Sequence, residues 1–200
     1  MILKICGITN QGDASAAIDA GATAIGFNFY PRSPRYIAPE LAGDLATAPG
    51  VRRAGVFVNE APARVEEIAR IARLDVAQLH GDETAAAFPR AVAVWKALRM
   101  SANFDLAAYG ELAVEALLLD GPAGDLYGGS GRTFDWRLAR ATGRKIVLAG
   151  GLDASNVAAA IELVKPWGVD ACSRIESAPG RKDRRKMIEF LQAAMAAAVV

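Results

Sequence analysis

The chain has 200 residues, of which 52% are hydrophobic and 22% are charged, and its formal net charge is +1. This length suits one globular domain spanning residues 1–200, and no linker or change in composition predicts a second one. The near-zero net charge gives no electrostatic basis for binding nucleic acid or an acidic membrane surface, so we expect neither as a partner.

The compartment follows from the cysteines and the apolar segments. Two cysteines, Cys6 and Cys172, are too few for the disulfide framework of a small secreted domain. The first residues lack a positive region followed by a long apolar stretch, and the uncharged segment 190–200 is too short to span a bilayer. We therefore expect no signal peptide, no membrane span and a cytoplasmic location.

Apolar, strand-like runs alternate with helical stretches along the whole chain. The predicted strands cover residues 2–6, 24–29, 54–58, 76–79, 93–98, 116–119, 145–149 and 168–171. The predicted helices cover residues 11–20, 39–45, 62–71, 83–88, 103–109, 136–141, 155–164 and 183–197.

The order and composition of these elements predict the fold class. The strand runs are almost wholly apolar, which is typical of parallel strands covered on both faces. Eight strand–helix units indicate an α/β protein with a closed, single-domain (β/α)8 barrel. A doubly wound open sheet, which usually has fewer strands, is the alternative.

Functional groups of such barrels gather at the carboxyl ends of the strands. The polar residues at the predicted strand ends are Cys6, Asn28, Asn59, His80, Asp120 and the segment Cys172-Ser173-Arg174.

Cys6 and Asp120 are the candidates for acid–base chemistry. Cys6 ends the first strand and precedes Gly7, which leaves room beside the thiol; a buried structural thiol is the alternative. Lys4 shares the side-chain parity of Cys6, so an inward-facing Cys6 would place a cation one layer below that favours the thiolate. Asp120 ends an apolar run, where desolvation favours the protonated carboxyl and suits a general acid. A helix-capping or loop aspartate is the alternative there.

Three segments after the last predicted strands suit a phosphate group. They are Gly129-Ser130-Gly131, Gly150-Gly151 and Ser173-Arg174. Loops after the seventh and eighth strands that lead into a helix form the usual phosphate site of these barrels. We therefore predict a small phosphorylated substrate. The chain lacks a Walker lysine motif, so a nucleoside triphosphate is not expected. One histidine and two separated cysteines do not form a metal-ligand cluster, so we expect metal-free catalysis.

Two basic segments have different interpretations. Arg35 lies in the loop Pro31-Arg32-Ser33-Pro34-Arg35-Tyr36, which the prolines stiffen, and an arginine held in this way can bind a carboxylate with both arms. A surface arginine is the alternative. The basic run 181–186 opens the last predicted helix, and we interpret it as a solvated face.

Motifs along nearly the whole chain resemble the phosphoribosylanthranilate isomerase family. They are Lys4-Ile5-Cys6-Gly7-Ile8-Thr9, Ser33-Pro34-Arg35-Tyr36-Ile37, Gly55-Val56-Phe57-Val58-Asn59, Gln78-Leu79-His80-Gly81, Leu118-Leu119-Asp120, residues 128–136, Gly150-Gly151-Leu152, Val169-Asp170 and Glu176 with Pro179-Gly180-Arg181-Lys182-Asp183.

The resemblance implies a barrel of the ribulose-phosphate-binding type without a metal or cofactor, active as a monomer or homodimer. The implied reaction is the Amadori rearrangement of N-(5-phosphoribosyl)anthranilate to its aminoketose in tryptophan biosynthesis. Cys6 matches the family's general base and Asp120 its general acid, and Arg35 would hold the anthranilate carboxylate. The three segments named above would bind the phosphate, while His80 and Asp170 would have supporting roles.

Two residues depart from the family pattern, which usually reads Ser-Ser-Gly at Cys172-Ser173-Arg174. An arginine at a glycine position would cost about 1 kcal/mol or more if the backbone there had a positive φ, although its guanidinium could add a phosphate contact. Cys172 would lie beside Cys6 in a closed barrel, where oxidation could join the two thiols.

Two competing functions are considered. The aminoaldose isomerase of histidine synthesis, or a bifunctional version of it, carries an aspartate at the first-strand position, so Cys6 argues against it. A catalytically silent barrel that serves as a binding subunit would not need both Cys6 and Asp120.

Overall fold

The computed structural model describes residues 1–101, 104–122, 133–139 and 143–198. Eight parallel strands within these residues form a closed barrel in chain order, and the eighth pairs with the first. The strands are β1 (Ile2–Ile5), β2 (Ala24–Asn28), β3 (Arg52–Phe57), β4 (Val76–Leu79), β5 (Ala93–Arg99), β6 (Ala116–Asp120), β7 (Ile146–Leu148) and β8 (Gly168–Ala171). The prediction of a closed barrel is confirmed, and the open-sheet alternative is wrong.

Five α-helices occur in the described part of the chain. They are α1 (Gln11–Asp19), α2 (Pro39–Asp44), α3 (Pro62–Ile71), α4 (Val157–Val164) and α5 (Arg184–Ala198). Their starts follow local chemistry: Asn10 accepts a hydrogen bond from the Asp13 backbone at 2.9 Å, and α2 and α3 each begin at a proline.

The predicted helices 83–88, 103–109 and 136–141 are wrong where the structure describes them. Single 3-10 turns stand there instead, at Ala85–Ala87, Leu106–Tyr109 and Trp136–Ala139; residues 103, 140 and 141 lie outside the described residues. The first two turns bury none of their residues. Short helices depend on tertiary packing of a buried apolar face, and the absence of buried residues in these two turns explains why neither extends into a helix.

The core has two parts. The larger cluster packs the outward side chains of the strands against the helices, with Phe27, Phe57 and Phe190 among its largest buried members. A smaller cluster comes from alternate positions of β3 to β7, including Val76, Trp95 and Leu118. Leu118 also lines the pocket described below, so this inner cluster forms its floor.

A hairpin follows β8 and packs against the segment after β1. Its strands are β9 (Glu176–Ala178) and β10 (Arg181–Lys182). Thr9 Oγ1 donates to the Gly180 carbonyl at 2.6 Å, and the Lys182 backbone N–H donates to Asp13 Oδ2 at 2.9 Å. The hairpin is therefore held close to the carboxyl end of β1.

The interpretation of the run 181–186 as a solvated face is wrong for Lys182. Its side chain is buried, whereas Arg181, Arg184, Arg185 and Lys186 are exposed. In the described residues, α5 is also the longest helix, and neither it nor any other is long and apolar enough to cross a bilayer.

Candidate active site

A pocket of about 310 Å³ opens at the carboxyl ends of the barrel strands. It brings together most of the site residues predicted from the sequence, namely Cys6, Arg35, His80, Asp120, Gly150, Gly151, Asp170, Ser173 and Arg174. The predicted residues Gly129, Ser130 and Gly131 lie outside the described residues. Residues separated by most of the chain therefore share one cavity.

Cys6 lies at the end of β1, and glycines create the space around its sulfur. Gly7 has φ +74°, and a Cβ atom there would lie 3.1 Å from Cys172 Sγ. Gly26 on β2 faces the same space, since a Cβ atom there would lie 2.9 Å from Cys6 Sγ. Sequence reasoning missed Gly26, although a glycine inside a strand is a signal for the close approach of another group.

The electrostatic surroundings of Cys6 favour its thiolate. Interaction with the adjoining Cys172 thiol lowers the pKa of Cys6, and the charges of Lys4 and Lys182 act in the same direction, whereas burial acts against them. The same interaction with Cys6 raises the pKa of Cys172, and partial removal of its half-buried side chain from water acts in the same direction. Both thiols are free. Of the two, Cys6 is the stronger candidate for a base.

Lys4 and Asp170 form a buried ion pair below Cys6. Lys4 Nζ lies 2.9 Å from Asp170 Oδ2, and the two side chains are 0% and 7% exposed. Burial raises the pKa of Asp170 to about 7, although the Lys4 charge opposes this. Burial also disfavours the Lys4 ammonium, but the Asp170 carboxylate and the Cys6 sulfur outweigh it and raise the pKa of Lys4. The predicted inward position of Lys4 is therefore confirmed.

Asp120, at the end of β6, is buried and faces the pocket. Its Oδ1 accepts a hydrogen bond from the Gly121 backbone at 2.8 Å, and its Oδ2 lies 3.2 Å from His80 Nε2. The other ring nitrogen of His80, Nδ1, lies 3.2 Å from the Gln78 side-chain amide. Gln78 thus orients the His80 ring, and Gly121 orients the Asp120 carboxyl. Sequence reasoning did not select Gln78 as a site residue.

The loops after β7 and β8 carry the predicted phosphate-binding segments. Gly150 and Gly151 follow β7 with φ +81° and +64°, and Asn156 Nδ2 donates to the Gly151 carbonyl at 2.8 Å. Because positive φ suits glycine, this turn explains both residues. Ser173 and Arg174 lie in a 3-10 turn, Ser173–Ile175, after β8.

The expected backbone cost at Arg174 is wrong. Arg174 is not among the non-glycine residues with positive φ, because it occupies the right-handed 3-10 turn. Its Nε donates to Asp153 Oδ2 at 2.7 Å. The arginine therefore links the turn after β8 to the loop after Gly151, at the rim of the pocket.

Arg35 enters the pocket from the loop after β2. Its Nε and Nη2 donate to the Glu176 carboxylate at 2.9 and 2.7 Å, and Lys182 Nζ donates to the same carboxylate at 2.9 Å. Burial of Glu176 opposes its ionisation, but these bonds and charges outweigh it and lower the pKa of Glu176. Sequence reasoning did not assign roles to Glu176 or Lys182. Their only signal was membership in one of the resembling motifs.

The described residues contain no group of three His, Cys, Asp or Glu side chains close enough to hold a metal ion.

Comparison with known proteins gives consistent matches. The protein-family model of N-(5'-phosphoribosyl)anthranilate (PRA) isomerase matches residues 3–193. The chain is 68% identical over 197 residues to N-(5'-phosphoribosyl)anthranilate isomerase of Solibacter usitatus (strain Ellin6076), with 98% of each chain covered.

Two solved structures are similar over almost their full length. One is phosphoribosyl anthranilate isomerase in complex with reduced 1-(o-carboxyphenylamino)-1-deoxyribulose 5-phosphate, at 38% identity and a TM-score of 0.86, covering 98% of this chain and 100% of that one. The other shows monomers generated from the dimeric enzyme of Thermotoga maritima, at 38% identity and a TM-score of 0.85, with the same coverage.

Proposed function

The chain belongs to the N-(5'-phosphoribosyl)anthranilate isomerase family, and we propose that Cys6 is the general base and Asp120 the general acid of its reaction. The enzyme isomerises N-(5'-phosphoribosyl)anthranilate in tryptophan biosynthesis. One observation carries the assignment of roles: a thiol held toward the thiolate and a buried carboxyl line the same pocket at the strand ends.

The first step opens the ribose ring. Asp120 donates a proton to the ring oxygen, the bond between that oxygen and C1′ breaks, and the lone pair of the anthranilate nitrogen forms a Schiff base. The position of Asp120 supports this role because its carboxyl is buried at the end of β6 and lines the pocket. The Gly121 backbone occupies Oδ1, so Oδ2 is the oxygen that faces His80 and carries the proton in this scheme.

The second step moves the hydrogen on C2′. The Cys6 thiolate takes this proton, and the electron pair of the C2′–H bond forms the C1′–C2′ double bond as the Schiff base becomes an enolamine. The enolamine then tautomerises to the aminoketose, so the step is an isomerisation with no net oxidation. Lys4 supports the step because its ammonium stabilises a negative charge on the sulfur beside it. We propose that neither step uses a metal or cofactor.

Both ends of the substrate are anions, and a different set of donor groups in the pocket is assigned to each. The phosphate is assigned to Gly150, Gly151, Ser173 and Arg174, together with Gly129, Ser130 and Gly131 from the sequence. Positive-φ glycines leave backbone N–H groups accessible to an anion, and Arg174 adds a cation at the rim.

Arg35 is assigned to the anthranilate carboxylate. Glu176 occupies its Nε and Nη2, which leaves Nη1 for a second carboxylate at the pocket wall. Asp170, with a buried Oδ1 that has no hydrogen-bond partner among the described residues, and His80 are assigned supporting contacts to the sugar.

The assembly and location belong to the same proposal. We infer a monomer or homodimer, which the dimeric relative from Thermotoga maritima supports and sedimentation velocity would decide. We also infer a cytoplasmic enzyme, because a free, thiolate-forming cysteine suits a reducing compartment.

A fluorescence assay tests the assigned roles. Purified enzyme should remove the fluorescence of the anthranilate adduct, whereas Cys6→Ala and Asp120→Asn should each lower kcat by roughly 100- to 10,000-fold. Arg64→Ala, which removes an exposed ion pair on α3, is the control and should act like the wild type. Activity that survives in both Cys6→Ala and Asp120→Asn would refute the mechanism.

A further inference from the structure

Cys172 adjoins the proposed base Cys6, Lys182 contacts Cys172, and the family assignment gives neither residue a task. The strand register explains the position of the first. Lys4 pairs with Asp170 and Ile5 with Ala171, and the Cys6 backbone N–H donates to the Ala171 carbonyl at 2.9 Å. Continuing this register places Cys172 beside Cys6 as both strands end. The position that a Cβ atom would take on Gly7 lies 3.1 Å from Cys172 Sγ, so this sulfur lies against the residue that directly follows Cys6.

Lys182 decides the direction in which the Cys172 thiol points. Its Nζ lies 3.3 Å from the Cys172 carbonyl oxygen and 3.9 Å from Cys172 Sγ, and its side chain is buried. An ammonium group has donors and no acceptor, so it meets the sulfur on its lone-pair side. The thiol hydrogen is therefore directed away from Lys182 and toward the neighbouring sulfur of Cys6. Glu176 holds Lys182 in this position at 2.9 Å.

We propose that Cys172 is a positioning residue whose thiol donates a hydrogen bond to the Cys6 sulfur and holds Cys6 as the thiolate in the resting enzyme. Lys182 keeps this donor correctly oriented. The inference deepens the proposed function and rests on it, since a stabilised Cys6 thiolate serves the isomerisation only if Cys6 is the base that takes the C2′ proton.

The charged groups around the two sulfurs fit this arrangement. Lys4 lies below Cys6 and is shared with Asp170, so one cation serves two potential anions. Arg35 approaches from the β2 loop, since its Cδ lies 2.8 Å from the Cβ position of Gly7, but its guanidinium is held by Glu176. The nearby cations Lys4 and Arg35 are already paired with Asp170 and Glu176. The uncharged thiol of Cys172 therefore adds a hydrogen-bond donor that stabilises the Cys6 thiolate.

The test compares donor and non-donor side chains at position 172. The rate of Cys6 alkylation by iodoacetamide is measured from pH 5 to 10, and the modified Cys6 peptide is quantified by mass spectrometry. Cys172→Ala removes the donor, so the midpoint should rise by about one pH unit and the rate near neutral pH should fall about tenfold. Cys172→Ser retains an O–H donor, and its midpoint should stay nearer that of the wild type. The acid limb of kcat/KM against pH should move in parallel.

A second non-donor variant keeps the outcome decisive. Cys172→Val has a similar volume without a donor, and it should reproduce the shift even if Cys172→Ala does not fold. An unchanged midpoint in the folded non-donor variant, or equal shifts in the donor and non-donor variants, would overturn the proposal. The alkylation assay needs no substrate, so it separates the two ideas: an active Cys6→Ala enzyme would refute the base role and leave the effect of Cys172 on Cys6 intact.

Discussion

Lys4 Nζ lies 2.9 Å from Asp170 Oδ2 at the centre of the barrel, and neither side chain has more than 7% exposure. Buried ion pairs are costly to form, and removal of one partner leaves the other charge without compensation. Their retention below Cys6 thus indicates a functional use of the cation. The pair holds a fixed positive charge beneath the sulfur that our proposed mechanism requires as a thiolate.

Lys4→Met tests this use of the cation. The substitution should lower the free energy of unfolding by about 3–5 kcal/mol, because Asp170 is left buried and unpaired. It should also raise the pH midpoint of Cys6 alkylation, since the nearby positive charge is lost. Urea denaturation and the alkylation assay measure the two effects separately.

The double variant Lys4→Met/Asp170→Asn is the matched control. It removes the orphaned carboxylate, so much of the stability should return while the alkylation midpoint stays above that of the wild type. An alkylation profile that does not change in Lys4→Met would rule out a role for Lys4 in activating Cys6.

Gly26→Ala tests whether empty space beside Cys6 is required. A methyl group there would lie 2.9 Å from Cys6 Sγ and 3.0 Å from Lys4 Nζ, so both groups must move. Overpacking of this kind costs about 1–3 kcal/mol, and displacement of a reacting atom lowers kcat by roughly 100-fold. Steady-state kinetics and thermal denaturation check the two effects. Gly12→Ala in α1 is the control and should retain full kcat; an equal loss of kcat in both variants would contradict the local explanation.

The sequence predicts the barrel well because each strand carries its own signal. Apolar runs bounded by polar residues mark β1 to β8 without reference to the rest of the chain. The polar residue that ends a run, such as Cys6 or Asp120, therefore lies at the end of the barrel where the pocket opens. The outer helices after β4 and β5 are mispredicted because a local helical pattern does not show whether a buried face exists. Ala85–Ala87 has the composition of a helix but buries none of its three residues, so a longer helix gains no stabilising packing there.

Residues that depend on distant partners escape sequence reasoning. Lys182 lies in a basic run that is otherwise exposed, and it is buried because Glu176 and Cys172 receive it across a hairpin turn. The prediction for Arg174 is wrong for a related reason. The glycine that the family pattern has at this position suggests a strained backbone, whereas Arg174 lies in a 3-10 turn and pairs with Asp153. Neither contact has a fixed spacing that a pattern could reveal.

Glu176 gives the enzyme a defined sensitivity to acid. Its pKa is lower in the folded protein than the ordinary 4.5, so the unfolded chain binds more protons as the pH falls through this range. Glu176 therefore contributes stability above about pH 5, and that contribution is lost as the pH falls through its lowered folded-state value.

Glu176→Gln should accordingly reduce the difference in unfolding free energy between pH 6 and pH 3.5. The variant should also be less stable at pH 7, since Arg35 and Lys182 lose their shared carboxylate. Urea unfolding at both pH values measures the effect, and Glu67→Gln on the surface of α3 should retain the wild-type difference. If Glu176→Gln keeps the full wild-type difference as well, Glu176 is not the responsible group.

Arg174→Gly tests whether the rim arginine binds phosphate. Loss of one charge-assisted hydrogen bond of roughly 1.5 kcal/mol should raise KM about tenfold with little change in kcat. The inhibition constant of inorganic phosphate, used as a competitive inhibitor, should rise in parallel. Arg64→Ala is the control for loss of a surface charge. An equal or lower KM in Arg174→Gly would show that Arg174 makes no helpful contact with the substrate.

The proximity of Cys6 and Cys172 also predicts sensitivity to oxidation. Neighbouring strands lie roughly 4.8 Å apart, which falls within the Cα separation of about 4.4–6.8 Å that a disulfide requires. The thiolate of Cys6 makes it the attacking sulfur. Diamide accepts the two hydrogen atoms that the thiols lose, and the bond formed between the sulfurs removes the base.

Treatment with diamide should therefore abolish activity together with both titratable thiols, and dithiothreitol should restore them. The reaction is followed by residual kcat and by the mass of the peptide pair that contains the bridge. Cys172→Ser cannot form the bridge, so it should keep its own starting activity under the same treatment. If the wild-type enzyme stays fully active after diamide and both thiols are still titratable, no bridge has formed. That result would show that the sulfurs of Cys6 and Cys172 do not reach each other.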